Sequence, residues 1–133
     1  MRSLYSAVMS ADSVKPTQSP FEDAPAIAVN RRGVTWLSRT GEIESLSHRE
    51  AATRLRQGVR PLVCHARATA ATLRAGNIRA FDVLELFAFA RPAVFCLPTA
   101  RGLAITLDLA LPETPEQEAE TLFVAAEKLL SDV

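Results

Sequence analysis

Residues 60–109, RPLVCHARATAATLRAGNIRAFDVLELFAFARPAVFCLPTARGLAITLDL, alternate short apolar runs with segments of helical periodicity, at spacings typical of α/β units. The continuous apolar run of residues 61–64 predicts a strand buried on both faces, as in a parallel sheet. Residues 65–75 predict a short helix closed by Gly76, and residues 82–90 predict an apolar helix that stops at Arg91-Pro92. This stretch therefore predicts an α/β fold.

The segment before this stretch has the two-residue period of strands. The runs AIAV (26–29), VTWLS (34–38) and EIESL (42–46) are separated by NRRG and RTG, whose asparagine and glycines suit tight turns. A three-stranded antiparallel meander is therefore predicted ahead of the parallel strand.

Three helix starts can be placed in the sequence, two of them by capping residues. Ser47 begins an S-x-x-E capping box, Thr114 precedes a proline and has Gln three positions later, and Thr99 opens a short helix that ends near Asp108. Residues 93–97 fit either a short strand or an extended connection, and both alternatives stay open.

Composition predicts one domain preceded by a tail. Residues 1–25 are rich in Ser, Pro, Ala and Asp, so they are predicted to be a disordered tail, and residues 26–133 to be a single domain. No apolar run approaches the length of a membrane-spanning helix, and residues 1–20 lack the apolar centre of a secretory signal. Cys64 and Cys96 lie in apolar runs and are too few for a disulfide framework. A cytoplasmic protein with reduced thiols and no membrane partner is expected.

Charge is divided unevenly along a chain whose formal net charge is zero. Residues 30–79 carry ten arginines and three glutamates, whereas residues 80–133 carry three basic and nine acidic residues. One interpretation is a basic face that follows a phosphate backbone. The other is that the two halves attract each other within the fold, which we prefer at this point because no aromatic residues lie among the arginines. The first interpretation assigns nucleic-acid contacts to Arg31, Arg32, Arg49, Arg54, Arg56, Arg67 and Arg74.

Few side chains are arranged for catalysis or metal binding. His65 follows the predicted central strand, where α/β proteins place ligands, but the adjacent Cys64 projects to the opposite face and makes a poor second ligand. Asp82 and Glu85 could share a proton or a metal on one helix face, yet D-x-x-E also works as a helix start. His48 lies inside a capping box, so we expect it to be exposed to solvent. The structural interpretation is preferred for each, and we predict no catalytic residue, no metal site and no cofactor.

With this order of elements in place, four stretches resemble the DnaQ-like (DEDD) three-prime to five-prime exonucleases. LVCHARATAATL (62–73) resembles the family's His-Asn-x-x-Phe-Asp segment, with His65 in place, and AFDVLELFAFARP (80–92) resembles its Asp-Thr-Leu-Glu-Leu helix, where the aspartate is structural. TARGLAITLDL (99–109) and ETPEQEAETLFVAAEKLL (113–130) resemble its small helix and its last helix. The resemblance implies an α/β, ribonuclease-H-like mixed sheet, in which a three-stranded antiparallel meander joins parallel strands and helices pack on both.

The acidic residues of that family are missing from the matching positions. Its first strand carries Asp-x-Glu where this chain has AIAV, its aspartate after the histidine is replaced by Thr69 or Ala70, and its last helix carries a His and an Asp that have no counterpart here. Two-metal hydrolysis needs carboxylates to hold a pair of cations about 4 Å apart. The resemblance therefore implies a degenerate exonuclease-like domain that is not an enzyme.

A narrower resemblance lies in FDVLELFAFARPAVFCLPTARGLA (81–104), which is similar to the amino-terminal region of bacterial DinG-like ATP-dependent DNA helicases of superfamily two. It implies an inactive accessory domain that assists binding of single-stranded or duplex DNA, or docks to the helicase motor domains, with the motor lying beyond Val133. The alternative is a protein-interaction or scaffold domain that uses an apolar surface of the 82–90 helix. The oligomeric state is left open.

Overall fold

The computed structural model describes residues 21–133, and a five-stranded mixed sheet forms its centre. The strand of residues 33–37 pairs antiparallel with both the strand of residues 26–30 and that of residues 43–46. The short strand at 62–63 pairs parallel with the strand of residues 26–30, and the one at 81–82 pairs parallel with the strand at 62–63. The predicted meander joined to parallel strands is therefore confirmed. The strands run in the order β3-β2-β1-β4-β5 and comprise β1 (Ala26–Asn30), β2 (Gly33–Leu37), β3 (Ile43–Leu46), β4 (Leu62–Val63) and β5 (Phe81–Asp82).

Helices begin where the capping residues predicted. The side chains of Ser47, Thr99 and Thr114 each accept a hydrogen bond from a backbone amide of the first turn that follows, which satisfies donors that have no partner inside the helix. The five helices are α1 (His48–Arg56), α2 (Ala66–Leu73), α3 (Val83–Ala90), α4 (Ala100–Leu107) and α5 (Pro115–Ser131). The predicted end of the second helix at Gly76 is too late, because Arg74 already adopts a left-handed conformation with φ 53°.

Two helical layers cover the two faces of the sheet. α1 and α2 pack on one face, and α3, α4 and α5 lie on the other, with α5 crossing β1 and β2. Successive residues of β1 point to opposite faces, so Ala26 and Ala28 join the core under α5 while Ile27 joins Ala51 of α1 and Leu73 of α2. We call these the α1/α2 layer and the α3–α5 layer.

Residues 21–25 belong to the packed fold, which moves the boundary of the predicted tail. Phe21 and Ala24 are buried, and the Phe21 ring meets the Phe81 ring edge to face with centroids 4.8 Å apart. Arg39 donates hydrogen bonds to the carbonyl groups of Phe21 and Glu22. The rest of the predicted tail, residues 1–20, lies outside the described residues.

Two further predictions concern the second half of the chain, and the structure decides both. Residues 93–97 form an extended connection rather than a strand, so the second of the two open alternatives holds. Phe81 and Asp82 form β5 before α3 begins, a strand that the helical pattern of residues 82–90 concealed.

Between residues 21 and 133, none of the helices has the length and apolar character needed to cross a membrane.

Candidate nucleic-acid interface

Six of the seven arginines assigned to nucleic acid have exposed side chains, and the seventh, Arg54, has a structural role. Its two terminal nitrogens donate to the two carboxylate oxygens of Glu44 at 3.1 and 2.7 Å, and its guanidinium lies 4.9 Å from the centre of the Trp36 ring. The hydrogen bonds from Arg54 lower the pKa of Glu44, so this carboxylate stays ionised. Because Arg54 ties α1 to β3 and covers the tryptophan, it is not free to bind phosphate.

The turn between β1 and β2 places two of the exposed arginines, Arg31 and Arg32, at one end of the sheet. The Asn30 side chain accepts hydrogen bonds from the amides of Arg32 and Gly33, which fixes the turn. His48, expected to be exposed, is half-buried and its Nε2 donates to the Asn30 carbonyl oxygen at 2.6 Å. This bond holds the start of α1, which carries Arg49, against the turn that carries Arg31 and Arg32.

The remaining arginines form pairs along two helices that pack against each other. Arg49 and Arg56 are seven residues apart on α1, a spacing that returns to nearly the same helix face about 10 Å further along the axis. Arg67 lies in the first turn of α2, and Arg74 directly follows the last residue of that helix. Arg67 and Arg74 line one open groove of about 450 Å³.

The exposed arginines assigned to nucleic acid and most acidic residues of the second half lie in different parts of the fold, although Arg39 and Arg60 of the first half contact aromatic rings on the side of the α3–α5 layer. Most acidic residues after position 80 lie on α3, α4 and α5 or their connections, whereas the six exposed arginines belong to the α1/α2 layer and the β1–β2 turn. Within residues 21–133, one ion pair joins the halves, Arg39 to Glu127 at 3.6 Å, while Arg54–Glu44 and Arg91–Asp132 each lie within one half. Attraction between the two charged halves therefore involves an ion pair at one of the ten arginines of residues 30–79, which is Arg39.

A separate cleft of about 260 Å³ opens at the carboxyl ends of β1 and β4, the usual ligand position in α/β proteins. Its lining includes Cys64, His65, Arg101 and Glu118, together with three threonines. The Nδ1 atom of His65 is buried and has no hydrogen-bond partner among the described residues. Cys64 and His65 both line this cleft, although they are adjacent in sequence.

Glu118 is a cleft residue that the sequence analysis did not single out. Partial burial raises its pKa above the ordinary value. The signal was present in the sequence: Glu118 lies four residues before the buried Leu122 and therefore shares its helix face.

Asp82 does not act with Glu85 as an acid/base pair but joins the starts of two helices. Its Oδ1 accepts from the amide of Glu85 at 2.9 Å, which caps α3, and its Oδ2 accepts from the amide of Ala66 at 2.8 Å. His65 is the N-cap residue of α2 but makes no side-chain capping bond, so Asp82 supplies the missing acceptor from another element. The predicted structural role is confirmed and extends to a second helix.

The Cys64 thiol is expected to react slowly with thiol reagents in the folded protein. Burial raises its pKa to about 12, with further contributions from the charges of Asp82, Cys96 and Glu118. The thiolate is the reacting form, and a rise of about three pKa units leaves about a thousandfold less of it near neutral pH. Iodoacetamide labelling of the Cys96→Ser variant at pH 8 measures Cys64 alone. The rate should rise at least a hundredfold in urea, and equal rates in folded and unfolded protein would contradict the burial of this thiol.

Neither the arrangement of the described residues nor comparison with known proteins assigns a reaction to this chain. Between residues 21 and 133, no three His, Cys, Asp or Glu side chains are grouped so that they could hold a metal ion. Glu118 is the one carboxylate that lines the cleft, so its residues do not fit the metal pair of an exonuclease. Comparison with protein-family models, with curated proteins and with solved structures finds no significant match.

Proposed function

We propose that this chain is a non-catalytic nucleic-acid-binding domain whose α1/α2 layer holds a phosphate backbone. The observation that carries the proposal is the separation of charge: four exposed arginines on or next to α1 and α2 and two in the β1–β2 turn, with most of the acidic residues after position 80 on α3, α4 and α5 or their connections. Phosphate contacts by arginine release condensed counterions and supply most of the affinity of sequence-independent binding. An acidic opposite face repels the same polyanion and so limits binding to one side of the domain.

The fold is compatible with the ribonuclease-H-like arrangement that the resemblance implies, since a meander of three antiparallel strands continues into two parallel ones. The stretch that is similar to DinG-like helicases corresponds to β5, α3, the 91–99 connection and α4. We therefore propose an exonuclease-like accessory domain of such a helicase, which acts in the cytoplasm, where the thiols of Cys64 and Cys96 stay reduced.

Absence of catalysis is part of the proposal. Glu118 is the one carboxylate among the residues that line the cleft. Burial raises its pKa, which disfavours the ionised form that a cation requires. The apolar side chains of β1 occupy the place where the resembled family carries its first two acids. We expect no product when a labelled single strand is incubated with the protein and manganese.

Binding is expected to be tight at low salt and to weaken steeply as salt is added. With four to five phosphate contacts, the slope of log K against log salt is about −4, so raising the salt from 50 to 200 mM weakens binding by about two hundredfold. Fluorescence anisotropy of a labelled oligonucleotide measures both the slope and the loss of affinity between 50 and 200 mM salt. The Arg101→Ala variant, which removes an exposed arginine from the α3–α5 layer, is the matched control and should bind as the wild type does. Salt-independent binding, or none at 50 mM salt below about 100 μM protein, would contradict the proposal.

A second candidate function rests on exposed apolar side chains in the α3–α5 layer. Phe89 at the end of α3 is 72% exposed and Phe95 in the following connection is 81% exposed, with Val94 and Leu97 close in sequence. An exposed apolar surface of this kind is typical of a protein contact, such as one with helicase motor domains. It lies on the face opposite the arginines, so protein docking and nucleic-acid binding do not exclude each other.

A further inference from the structure

We propose that the arginine face binds double-stranded nucleic acid by its backbone, in preference to single strands. This inference rests on the proposed function and names its substrate class. Two features of the α1/α2 layer carry it: the arrangement of the arginines in two rows, and the absence of exposed aromatic side chains beside them among the described residues.

The arginines lie in two rows rather than along one line. The exposed arginines of α1, Arg49 and Arg56, lie about 10 Å apart along its axis. Arg67 lies in the first turn of α2 and Arg74 directly follows the end of that helix, and packed helices lie about 8 to 10 Å from each other. Arg31 and Arg32 in the β1–β2 turn extend the α1 row, because His48 holds that turn against the start of α1. A duplex presents two phosphate rows separated by a groove of about 6 or 12 Å, so both rows of arginines can be engaged together. A single strand presents one row.

Proteins that bind single strands combine a basic groove with aromatic rings on which unpaired bases stack. Trp36, the aromatic residue beneath the α1/α2 layer, is buried and its ring lies under the Arg54 guanidinium. The exposed aromatic side chains of residues 21–133, Phe89 and Phe95, belong to the α3–α5 layer on the far side of the sheet. A single-stranded nucleic acid held by the arginines therefore has no exposed aromatic ring of residues 21–133 nearby. Its unpaired bases gain no stacking energy from this face.

Besides the arginines, Glu50 is the one long side chain at an exposed position within α1 and α2. The exposed positions of α1 and α2 next to the arginines are occupied mainly by small residues, such as Thr53, Ala68 and Ala71, which do not reach into a groove. Binding that depends on phosphates alone tolerates any sequence, since phosphate contacts position a protein without reading bases. The inference therefore includes weak sequence preference.

The test compares a labelled 16-base-pair duplex with a labelled 32-nucleotide oligo(dT), which carry similar numbers of phosphates. At 50 mM salt, anisotropy titration of the full chain should give at least a tenfold lower Kd for the duplex, and two duplexes of unrelated sequence should agree within about threefold. The double variant Arg49→Ala/Arg67→Ala removes one arginine from each row and should reduce the magnitude of the duplex salt slope by about 2. Trp36 fluorescence confirms that each variant is folded.

The outcomes separate this inference from the function on which it rests. Equal or tighter binding of oligo(dT) would overturn the inference and leave nucleic-acid binding intact. A Kd that is unchanged in Arg49→Ala/Arg67→Ala but weakened by Phe95→Ala would also overturn it, because the binding surface would then be the α3–α5 layer. No binding of either oligonucleotide at low salt would overturn the proposed function itself.

Discussion

The Asp82→Ala variant is expected to lose about 2–4 kcal/mol of its free energy of unfolding. This substitution removes one acceptor from the start of α3 and another from the start of α2. Loss of a helix cap costs about 1 kcal/mol, and a partly buried amide left without an acceptor costs about 1–3 kcal/mol. Since β5 contributes Asp82 itself, the same change also weakens the parallel edge of the sheet.

Urea denaturation followed by the fluorescence of Trp36, the sole tryptophan, measures this loss. Glu85→Ala is the matched control: it removes the other carboxylate of the D-x-x-E pair, but Glu85 takes part in the capping bond through its backbone amide. We expect that variant to stay within about 0.5 kcal/mol of wild type. Asp82→Asn, which keeps one acceptor oxygen, should lose an intermediate amount. Equal losses at Asp82→Ala and Glu85→Ala would contradict the double cap.

The Gly102→Ala variant is expected to be destabilised by about 2 kcal/mol, although alanine is the better helix former. Gly102 lies in the first turn of α4, and a Cβ at this position would come 2.4 Å from the Leu97 carbonyl oxygen and 2.9 Å from its carbonyl carbon. These are backbone atoms, so relief requires the 91–99 connection to move. The helix-propensity gain of about 1 kcal/mol is smaller than the cost of this overlap, about 3 kcal/mol for an overpacked core.

The same urea experiment measures the effect. Arg101→Ala, at the adjacent exposed position of α4, controls for the substitution of alanine in this turn and should change the stability by less than about 0.5 kcal/mol. Because Thr99 caps α4 from within the displaced segment, we also expect the amide of residue 102 to exchange with solvent faster in Gly102→Ala. A variant as stable as wild type would show that the connection can move freely.

Helix starts and turns were predictable because their determinants are local. Ser47, Thr99 and Thr114 each bond to an amide three residues later, and the Asn30 turn closes within four residues. Such bonds depend on spacing along the chain alone. The continuous apolar run AIAV of β1 likewise fits a sheet with a core on both faces, since Ile27 and Ala28 are both buried.

Other features involve residues far apart in sequence and were missed for that reason. β5 has two residues, and it is a strand because β4 pairs with it in parallel, which no periodicity in residues 81–90 reveals. Phe21 is buried beside Phe81, a residue sixty positions later in the chain. The composition of residues 1–25 cannot show this contact, so the sequence analysis placed Phe21 in the tail. The second bond of Asp82 crosses sixteen residues to reach Ala66.

By itself the sequence determined the order of the elements, their caps and the uneven distribution of charge along the chain. Only the tertiary structure decided where those charges lie relative to each other, because the path of the chain across the sheet sends α1 and α2 to one face and α3, α4 and α5 to the other. The same packing removed Arg54 from the binding face by pairing it with Glu44, and turned Glu118 toward the cleft. Charge along a chain is local information, whereas a charged surface depends on which distant segments pack together.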